Sequence, residues 1–184
     1  MRERSRFLAF AYPVSSGQEV EERLAGSRRE YRDARHIVHA YRVMEGERVV
    51  ERADDAGEPA RSAGWPILEL LRGRDLVNVL VVVVRYFGGV KLGVGGLRRA
   101  YRDAAALALE DAGTVEFVPR VRLRVHFPPE RSGQAFSFLS RLGAEIASRE
   151  YGGGRLRVTV EVPRDRVGAL REGIRPWGEV QPVE

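Results

Sequence analysis

Residues 79–101 of the chain read VLVVVVRYFGGVKLGVGGLRRAY. The apolar run Val79–Val84 is typical of a strand that is buried on both faces, and it predicts a strand over 76–87. Glycines at 88, 89, 93, 95 and 96 predict a loop. An apolar stripe beginning at Leu97 then predicts a helix that ends before Gly113. The stretch therefore predicts a buried strand, a glycine-rich loop and an amphipathic helix in direct succession.

The residues before and after this stretch predict a mixed region of helices and strands. Apolar patterns predict strands over 7–11, 37–43 and 48–53, and helical spacing predicts a helix over 17–34. Residues 54–64 are polar and rich in turn formers. A short helix within 62–71 is expected to begin at Pro66, and another strand is expected to start over 115–118.

The C-terminal residues follow a more regular order. Their patterns predict strands over 120–127, 144–151, 155–162 and 177–183, with helices over 128–142 and 163–174. The resulting order, βαββαβ, is the ferredoxin-like plan. With a boundary between Val118 and Pro119, the sequence predicts an α+β protein of two domains, 1–118 and 119–184.

Most of the net positive charge lies in the smaller predicted domain. The 184 residues carry 31 Lys and Arg against 26 Asp and Glu, a net charge of +5, and residues 119–184 contribute 12 basic and 8 acidic side chains. There is no cysteine, which excludes disulfides, thiolate nucleophiles and cysteine-ligated metal sites. No apolar run approaches the about 20 residues of a membrane helix. We therefore expect a cytoplasmic protein without a membrane partner.

The glycine-rich loop is the first candidate site. Glycines allow a ligand to approach the backbone closely, and the N-terminus of the following helix favours anions. The loop and its flanks therefore predict a phosphate site at Arg85, Lys91, Gly93, Gly95, Gly96, Arg98 and Arg99. The alternative is a tight connection between strand and helix, because no standard phosphate-binding motif is present.

The second candidate is the acidic loop that contains Asp54, Asp55 and Glu58. These carboxylates suit either acid–base chemistry or a Mg²⁺ ion, whereas a capped turn is the structural alternative. His36 and His39 are three residues apart, which places them on opposite faces of a strand and prevents them from sharing a metal. We therefore predict no metal site and no cofactor, and His36, Asp55 and Glu58 form only an alternative catalytic set.

The third candidate is one face of the C-terminal sheet. Alternation along the two predicted central strands places five arginines on the same face: Arg120, Arg122, Arg124, Arg155 and Arg157. Like charges on neighbouring strands are destabilising unless other groups compensate them. Nucleic-acid phosphates or acidic residues of the first domain would do so, and solvated arginines are the alternative. Without an aromatic pair for base stacking, we expect contacts to the RNA backbone.

These residues are similar to those of the IMPACT/YigZ family, in its two-domain bacterial branch. The resemblance covers about residues 1–115. It is carried by Ser5-Arg6-Phe7, Ala34-Arg35-His36, Asp55-x-Gly57-Glu58-Pro59, Ala63-Gly64-x-Pro66, the long stretch Val84–Leu97, and Arg99-Ala100-Tyr101. The remainder resembles the family's ferredoxin-like C-terminal domain in architecture.

The resemblance implies a fold and a cellular process. The first domain is expected to have the βαβ fold of ribosomal proteins and of translocation-factor domain IV. The domain pair resembles domains IV and V of elongation factor G, which touch ribosomal RNA, and eukaryotic members of the family regulate translation. The acidic loop departs from the family at two positions, where Ala56 replaces an aspartate and Arg61 replaces a glycine. Both changes favour an anion over a cation at this loop.

The combined hypothesis is a protein that binds nucleic acid, either RNA or the ribosome, in connection with translation or its regulation. No catalytic activity is asserted. One alternative is an enzyme that acts on a phosphorylated small molecule, with His36, Asp55 and Glu58 beside the glycine-rich loop. Another is a protein-interaction module, which predicts an exposed apolar patch. No oligomeric state is predicted.

Overall fold

The computed structural model describes residues 5–46 and 48–183 of the chain. The chain divides into two compact units, 1–115 and 116–184, and each is described by itself. None of the helices in these described ranges has the length and apolar character needed to span a bilayer.

The first unit is a four-stranded sheet with helices on both faces. Its elements are β1 (Arg6–Pro13), α1 (Gly17–Glu30), β2 (His36–Glu45), β3 (Arg48–Asp54), α2 (Gly64–Gly73), β4 (Val79–Tyr86) and α3 (Gly93–Ala112). The strand order is β1-β4-β2-β3, and every neighbouring pair is antiparallel. The α+β prediction for this part of the chain is confirmed.

Strand β4 lies between two separate apolar cores. Leu80, Val82 and Val84 pack in the core that contains residues of α1. Val81 and Val83 pack in the core that contains residues of α2 and α3. The predicted burial of both faces is therefore confirmed, although in an antiparallel sheet covered by helices on each side.

The second unit has the predicted βαββαβ order. Its elements are β5 (Arg120–Phe127), α4 (Ser132–Arg141), β6 (Glu145–Gly152), β7 (Arg155–Pro163), α5 (Val167–Ile174) and β8 (Glu179–Pro182), with a 3₁₀ turn before each helix. The sheet is antiparallel with the order β6-β7-β5-β8, which matches the ferredoxin-like plan. Phe127, Val160 and other alternate residues of β5 and β7 pack with α4 and α5 in one core.

Strand β6 forms an edge of this sheet. Its residues are exposed from Glu145 to Tyr151. Its pairing with β7 is interrupted by a register shift between Ile146 and Ser148. Such a bulge bends the strand and increases its local twist.

Helix ends differ from the predictions in both units, and in the second unit α4 and α5 each begin four residues later than predicted, after a 3₁₀ turn. Helix α1 was predicted to reach residue 34, but it ends at Glu30. The N–H of Tyr31 caps this end by donating to the carbonyl of Ser27. Helix α2 begins at Gly64, two residues before Pro66, because the N–H groups of a first turn need no partner within the helix. Helix α3 begins at Gly93, so Gly93, Gly95 and Gly96 lie in its first turn and not in the loop.

The strand expected over 115–118 is wrong. Residues 113–119 form neither helix nor strand. Val115, Phe117 and Val118 are all exposed. Their apolar character suggested a strand, but these residues pair with no strand in the part of the chain that the structure describes.

Candidate functional site

Arg85 is a charged residue at the end of a buried strand. It follows Val84 in β4, and its backbone pairs with Phe7 of β1 on one side and His36 of β2 on the other. The Arg85 side chain is only 6% exposed. Because a buried guanidinium needs a charged partner to offset the loss of hydration, this position requires an acid nearby.

Glu58, in the acidic loop, is that acid. Arg85 donates to Glu58 Oε1 at 2.6 Å, and the glutamate side chain is 4% exposed. The hydroxyl of Tyr101, a fully buried residue of α3, donates to the same oxygen at 2.7 Å. Ser5 Oγ accepts from Arg85 and from the N–H of Gly88, both at 3.3 Å. This buried network ties together β4, the acidic loop, α3 and the segment before β1.

The pKa of the Tyr101 hydroxyl is raised, and burial is the largest cause. Desolvation raises the pKa of the Tyr101 hydroxyl, and the hydrogen bond to Glu58 with its negative charge raises it further. Tyr101 therefore stays protonated and remains a donor at any physiological pH.

Asp55 organises the acidic loop as a turn. Its carboxylate accepts from the N–H groups of Arg61 at 2.6 Å, of Ala63 at 2.9 Å and of Gly64 at 2.9 Å. These bonds satisfy backbone donors at the start of α2. Ala56 and Arg61 have φ values of +46° and +59°, a left-handed conformation that favours glycine.

The alternative catalytic residues each have a separate partner. The ring nitrogen Nδ1 of His36 donates to the carbonyl of Ala56 at 2.9 Å. Asp55 caps α2 and Glu58 pairs with Arg85. Among residues 5–46 and 48–183, no described hydrogen bond joins the three side chains, and no group of three or more His, Asp and Glu could hold a metal ion.

The predicted basic phosphate ligands fall into three environments. Lys91 and Arg99 are exposed, and neither forms an ion pair within the described residues. Arg98 donates to the carbonyl of Arg61 at 2.7 Å and to Glu69 at 3.0 Å. Arg85 lies in the buried network, so a phosphate would reach its guanidinium only by displacing Glu58.

The segment from the end of β4 to the first turn of α3 also exposes apolar side chains. Phe87 is 56% exposed and Val94 is 53% exposed, with Val90 and Leu92 exposed between them. Side chains of this kind on a glycine-rich loop are available to a partner.

The five predicted arginines of the second unit lie on the sheet face away from its helices. Arg120 pairs with Glu145 at 3.0 Å and Arg122 lies 3.7 Å from Glu161. The other three, Arg124, Arg155 and Arg157, form no ion pair with any described residue. Two glutamates of the same sheet therefore compensate two of the five arginines. The sequence had suggested compensation only by nucleic acid or by acidic residues of the first domain.

His126 lies among the three unpaired arginines. Its backbone pairs with Arg157 across the β5–β7 ladder. Burial lowers the pKa of His126, and the positive charges of Arg157, Arg124 and Arg155 lower it further, although Glu179 opposes them. The imidazole is therefore mainly neutral at pH 7, and the positive charge of this area comes from the arginines.

Sequence reasoning missed the roles of Tyr101 and Ser5. An arginine directly after six apolar residues was the available signal, because a charge buried in a sheet requires a partner. The partner's identity does not follow from spacing, since 27 residues separate Glu58 from Arg85 and 43 separate it from Tyr101.

The fold defines an α+β protein of two units. In the first unit, a buried network of arginine, glutamate and tyrosine connects the sheet, the acidic loop and helix α3. The family model of the Impact N-terminal domain matches residues 3–109. The chain belongs to the IMPACT family.

Individual relatives agree with this assignment. The chain is 34% identical to the IMPACT family member YigZ of Escherichia coli, over 80% of this chain and 73% of that protein. It is 41% identical to the IMPACT family member YvyE of Bacillus subtilis, over 62% of this chain and 52% of that protein. The chain thus spans about half the length of the Bacillus relative. A solved structure described as a hypothetical protein covers 98% of this chain with 25% identity and a TM-score of 0.68.

Proposed function

We propose that this chain binds RNA, free or in the ribosome, in a cytoplasmic role linked to translation or its regulation. The observation that carries the proposal is a group of three arginines without acidic partners among the described residues, on the sheet face away from the helices of the second unit: Arg124, Arg155 and Arg157. The link with translation rests on the family resemblance.

The register of the sheet brings these arginines close to one another. Arg157 lies opposite His126, two residues from Arg124 on the same face of β5. Arg155 lies two residues from Arg157 on the same face of β7. Like charges at such diagonal positions repel one another, and a phosphate backbone would remove the repulsion. Arginine suits this role because its planar guanidinium binds phosphate in a bidentate manner.

The glycine-rich loop supplies the second part of the proposed footprint. Lys91 lies two residues before α3 and Arg99 lies within it, and both are exposed. The first turn of α3 contains Gly93, Gly95 and Gly96, and no side chain caps it. Uncapped N–H groups together with cations favour an anion at this helix end. Arg85 contributes indirectly, because its pairing with Glu58 fixes the end of β4 from which the loop departs.

Salt-dependent RNA binding tests the proposal. Fluorescence anisotropy with labelled single-stranded RNA would be measured at about 50 and 200 mM salt, a range over which phosphate-dominated binding weakens steeply. The variant R155E/R157E should bind at least about tenfold more weakly, with a salt slope smaller by about 1.4 for two lost contacts.

The matched control is R171E/R175E. It makes the same charge change at two exposed residues of the same unit, at the end of α5. The control should retain most of the affinity. Equal losses in the two variants would show that net charge, and not the arginine face, determines binding, and no RNA binding by the wild type would reject the proposal.

A second candidate function is a protein-interaction module. Four exposed apolar residues of the loop and the first turn of α3 favour it: Phe87, Val90, Leu92 and Val94. Apolar contacts resist salt, whereas phosphate contacts do not. Cosedimentation with ribosomes that persists at about 200 mM salt and is lost in V90D, but not in R155E/R157E, would support this function over RNA binding.

A further inference from the structure

A cleft in the first unit lies beside the glycine-rich loop, and the charged side chains of the buried network, Arg85 and Glu58, do not line it. It has a volume of about 730 Å³ and is lined by Arg6, Leu8, Tyr31, Asp33, Tyr86 and Phe87. The volume falls in the roughly 300–1,000 Å³ range of sites for small ligands. Gly88, at the beginning of the loop that carries Lys91, also lines the cleft.

Two tyrosines give the cleft fixed aromatic surfaces. The ring of Tyr31 packs against Phe10, with their centroids 5.5 Å apart. The hydroxyl of Tyr86 donates to Oδ1 of Asp33 at 3.0 Å. Rings held in this way offer a planar ligand a stacking surface at little cost in conformational entropy.

Two opposite charges complete the cleft. Asp33 is exposed, and Tyr86 occupies only one of its oxygens, so the carboxylate can accept further hydrogen bonds. Arg6 is exposed and forms no ion pair with another residue in the described ranges. The cleft therefore presents an acceptor for adjacent N–H donors and a cation for an anion.

We propose that this cleft binds a guanine nucleotide, either free or as an unpaired residue of RNA. The Watson–Crick edge of guanine carries two adjacent donors, N1–H and the 2-amino group, which match one carboxylate. Adenine and uracil each lack this pair of donors. The base stacks on Tyr31 or Tyr86, Asp33 accepts from its two donors, and Arg6 contacts the phosphate. The RNA form of the ligand rests on the proposed function, whereas the free form does not.

Titration with free nucleotides tests the cleft directly. Binding of GMP, IMP and AMP to the full chain would be measured by calorimetry, with IMP as the analogue that lacks the 2-amino group. GMP should bind roughly tenfold more tightly than IMP or AMP, as expected for one good bidentate contact to a base. The variant D33N should lose this preference while its amide oxygen still accepts from Tyr86.

The control D103N removes the same charge from an exposed residue of α3. It should retain the wild-type preference for GMP. Equal binding of the three nucleotides, no binding of any, or an unchanged preference in D33N would overturn the proposal, whether or not the chain binds RNA.

A second arm distinguishes the two sources of guanine. The oligonucleotide U12 with a single central guanine would be compared with the same RNA carrying inosine or adenine there, at constant salt. A guanine preference that D33N abolishes supports an RNA residue as ligand. A preference seen only with mononucleotides supports the free form. Loss of U12 binding in R155E/R157E with an intact GMP preference would separate this cleft from the arginine face.

Discussion

The hydroxyl of Tyr101 donates a 2.7 Å hydrogen bond to Glu58 Oε1. The two residues lie 43 positions apart, one in the middle of a helix and the other in a polar loop. Because the same oxygen accepts from Arg85, the tyrosine and the arginine share one carboxylate in a largely buried site. The stability of the first unit should therefore depend on this contact.

Removing the hydroxyl tests that dependence. In Y101F the ring still packs against Phe7, whose centroid lies 5.1 Å away, while the hydrogen bond to a charged acceptor is lost. Such bonds contribute about 1.5–3 kcal/mol, so the free energy of unfolding in urea should fall by about that amount. The variant Y151F, at a residue that is 71% exposed, should unfold as the wild type does.

Breaking the ion pair between Arg85 and Glu58 should destabilise the protein more than removing the Tyr101 hydroxyl. E58Q leaves a buried guanidinium without a counter-charge, and breaking buried pairs in this way costs about 3–5 kcal/mol. The double variant E58L/R85M, which removes both charges, should unfold less readily than E58Q. E116Q, at an exposed residue, is the control. If urea denaturation found E58Q as stable as E116Q, the pair would have no structural role.

Gly64 occupies a position that admits no side chain. A Cβ atom there would lie 2.6 Å from the backbone oxygen of Asp54. G64A should therefore displace the end of β3 from the beginning of α2 and destabilise the first unit by at least about 1–3 kcal/mol. The control G73A adds its methyl group at the other end of α2, where nothing lies within 4 Å. It should be neutral or more stable by about 0.4–1 kcal/mol, and thermal unfolding would separate the two outcomes.

Stability should fall as the pH decreases below about 6.5, the ordinary pKa of histidine. Burial lowers the pKa of His39, an effect that Asp54 and Glu21 oppose and that Arg28 and Arg52 reinforce. The unfolded state therefore binds more protons than the folded state below this pH, and each such proton reduces the unfolding free energy by at most about 1.4 kcal/mol per pH unit.

Thermal melts between pH 7.5 and 5.5 measure this slope. The pKa of His126 is also lowered, so H39Q should reduce the slope and H39Q/H126Q should remove most of it. The loss of stability below about pH 4.5 should remain, since carboxylates such as Glu51 cause it. The Arg72 hydrogen bond lowers the pKa of Glu51, which favours the folded state above that range. If H39Q/H126Q kept the wild-type dependence of stability on pH between 7.5 and 5.5, the assignment of that dependence to these two histidines would be wrong.

Local patterns predicted most of the fold because each element carries its own periodicity. The valine run of β4 and the alternation of β5 and β7 were sufficient to predict strands and their buried faces. Helix α3 was predicted to begin too late because glycine is a poor helix former, whereas packing of Leu97 and Tyr101 on the sheet extends it to Gly93. The strand over 115–118 was predicted wrongly because strand propensity alone is not sufficient, and a strand also needs a partner with which to pair.

The candidate site was harder to predict, since its contacts are distant in sequence. Arg85 looked like a phosphate ligand beside glycines, but the sheet places it against Glu58. Asp55 suited a catalytic or metal-binding role or a capped turn, and the structure shows the turn, because its partners are backbone N–H groups six to nine residues away. For Arg85 the residue type predicted a charged interaction correctly, while only the tertiary structure identified Glu58 as the partner.

The bulge in β6 has a consequence for the protein's behaviour at high concentration. An exposed edge strand offers unpaired backbone groups to which strands of other molecules can add, and this is a common route to aggregation. The register shift after Ile146 interrupts the regular ladder that such addition requires, and Glu145, Arg149 and Glu150 place charges along the same edge. The bulge and the charges together therefore disfavour the addition of a strand from another molecule to this edge.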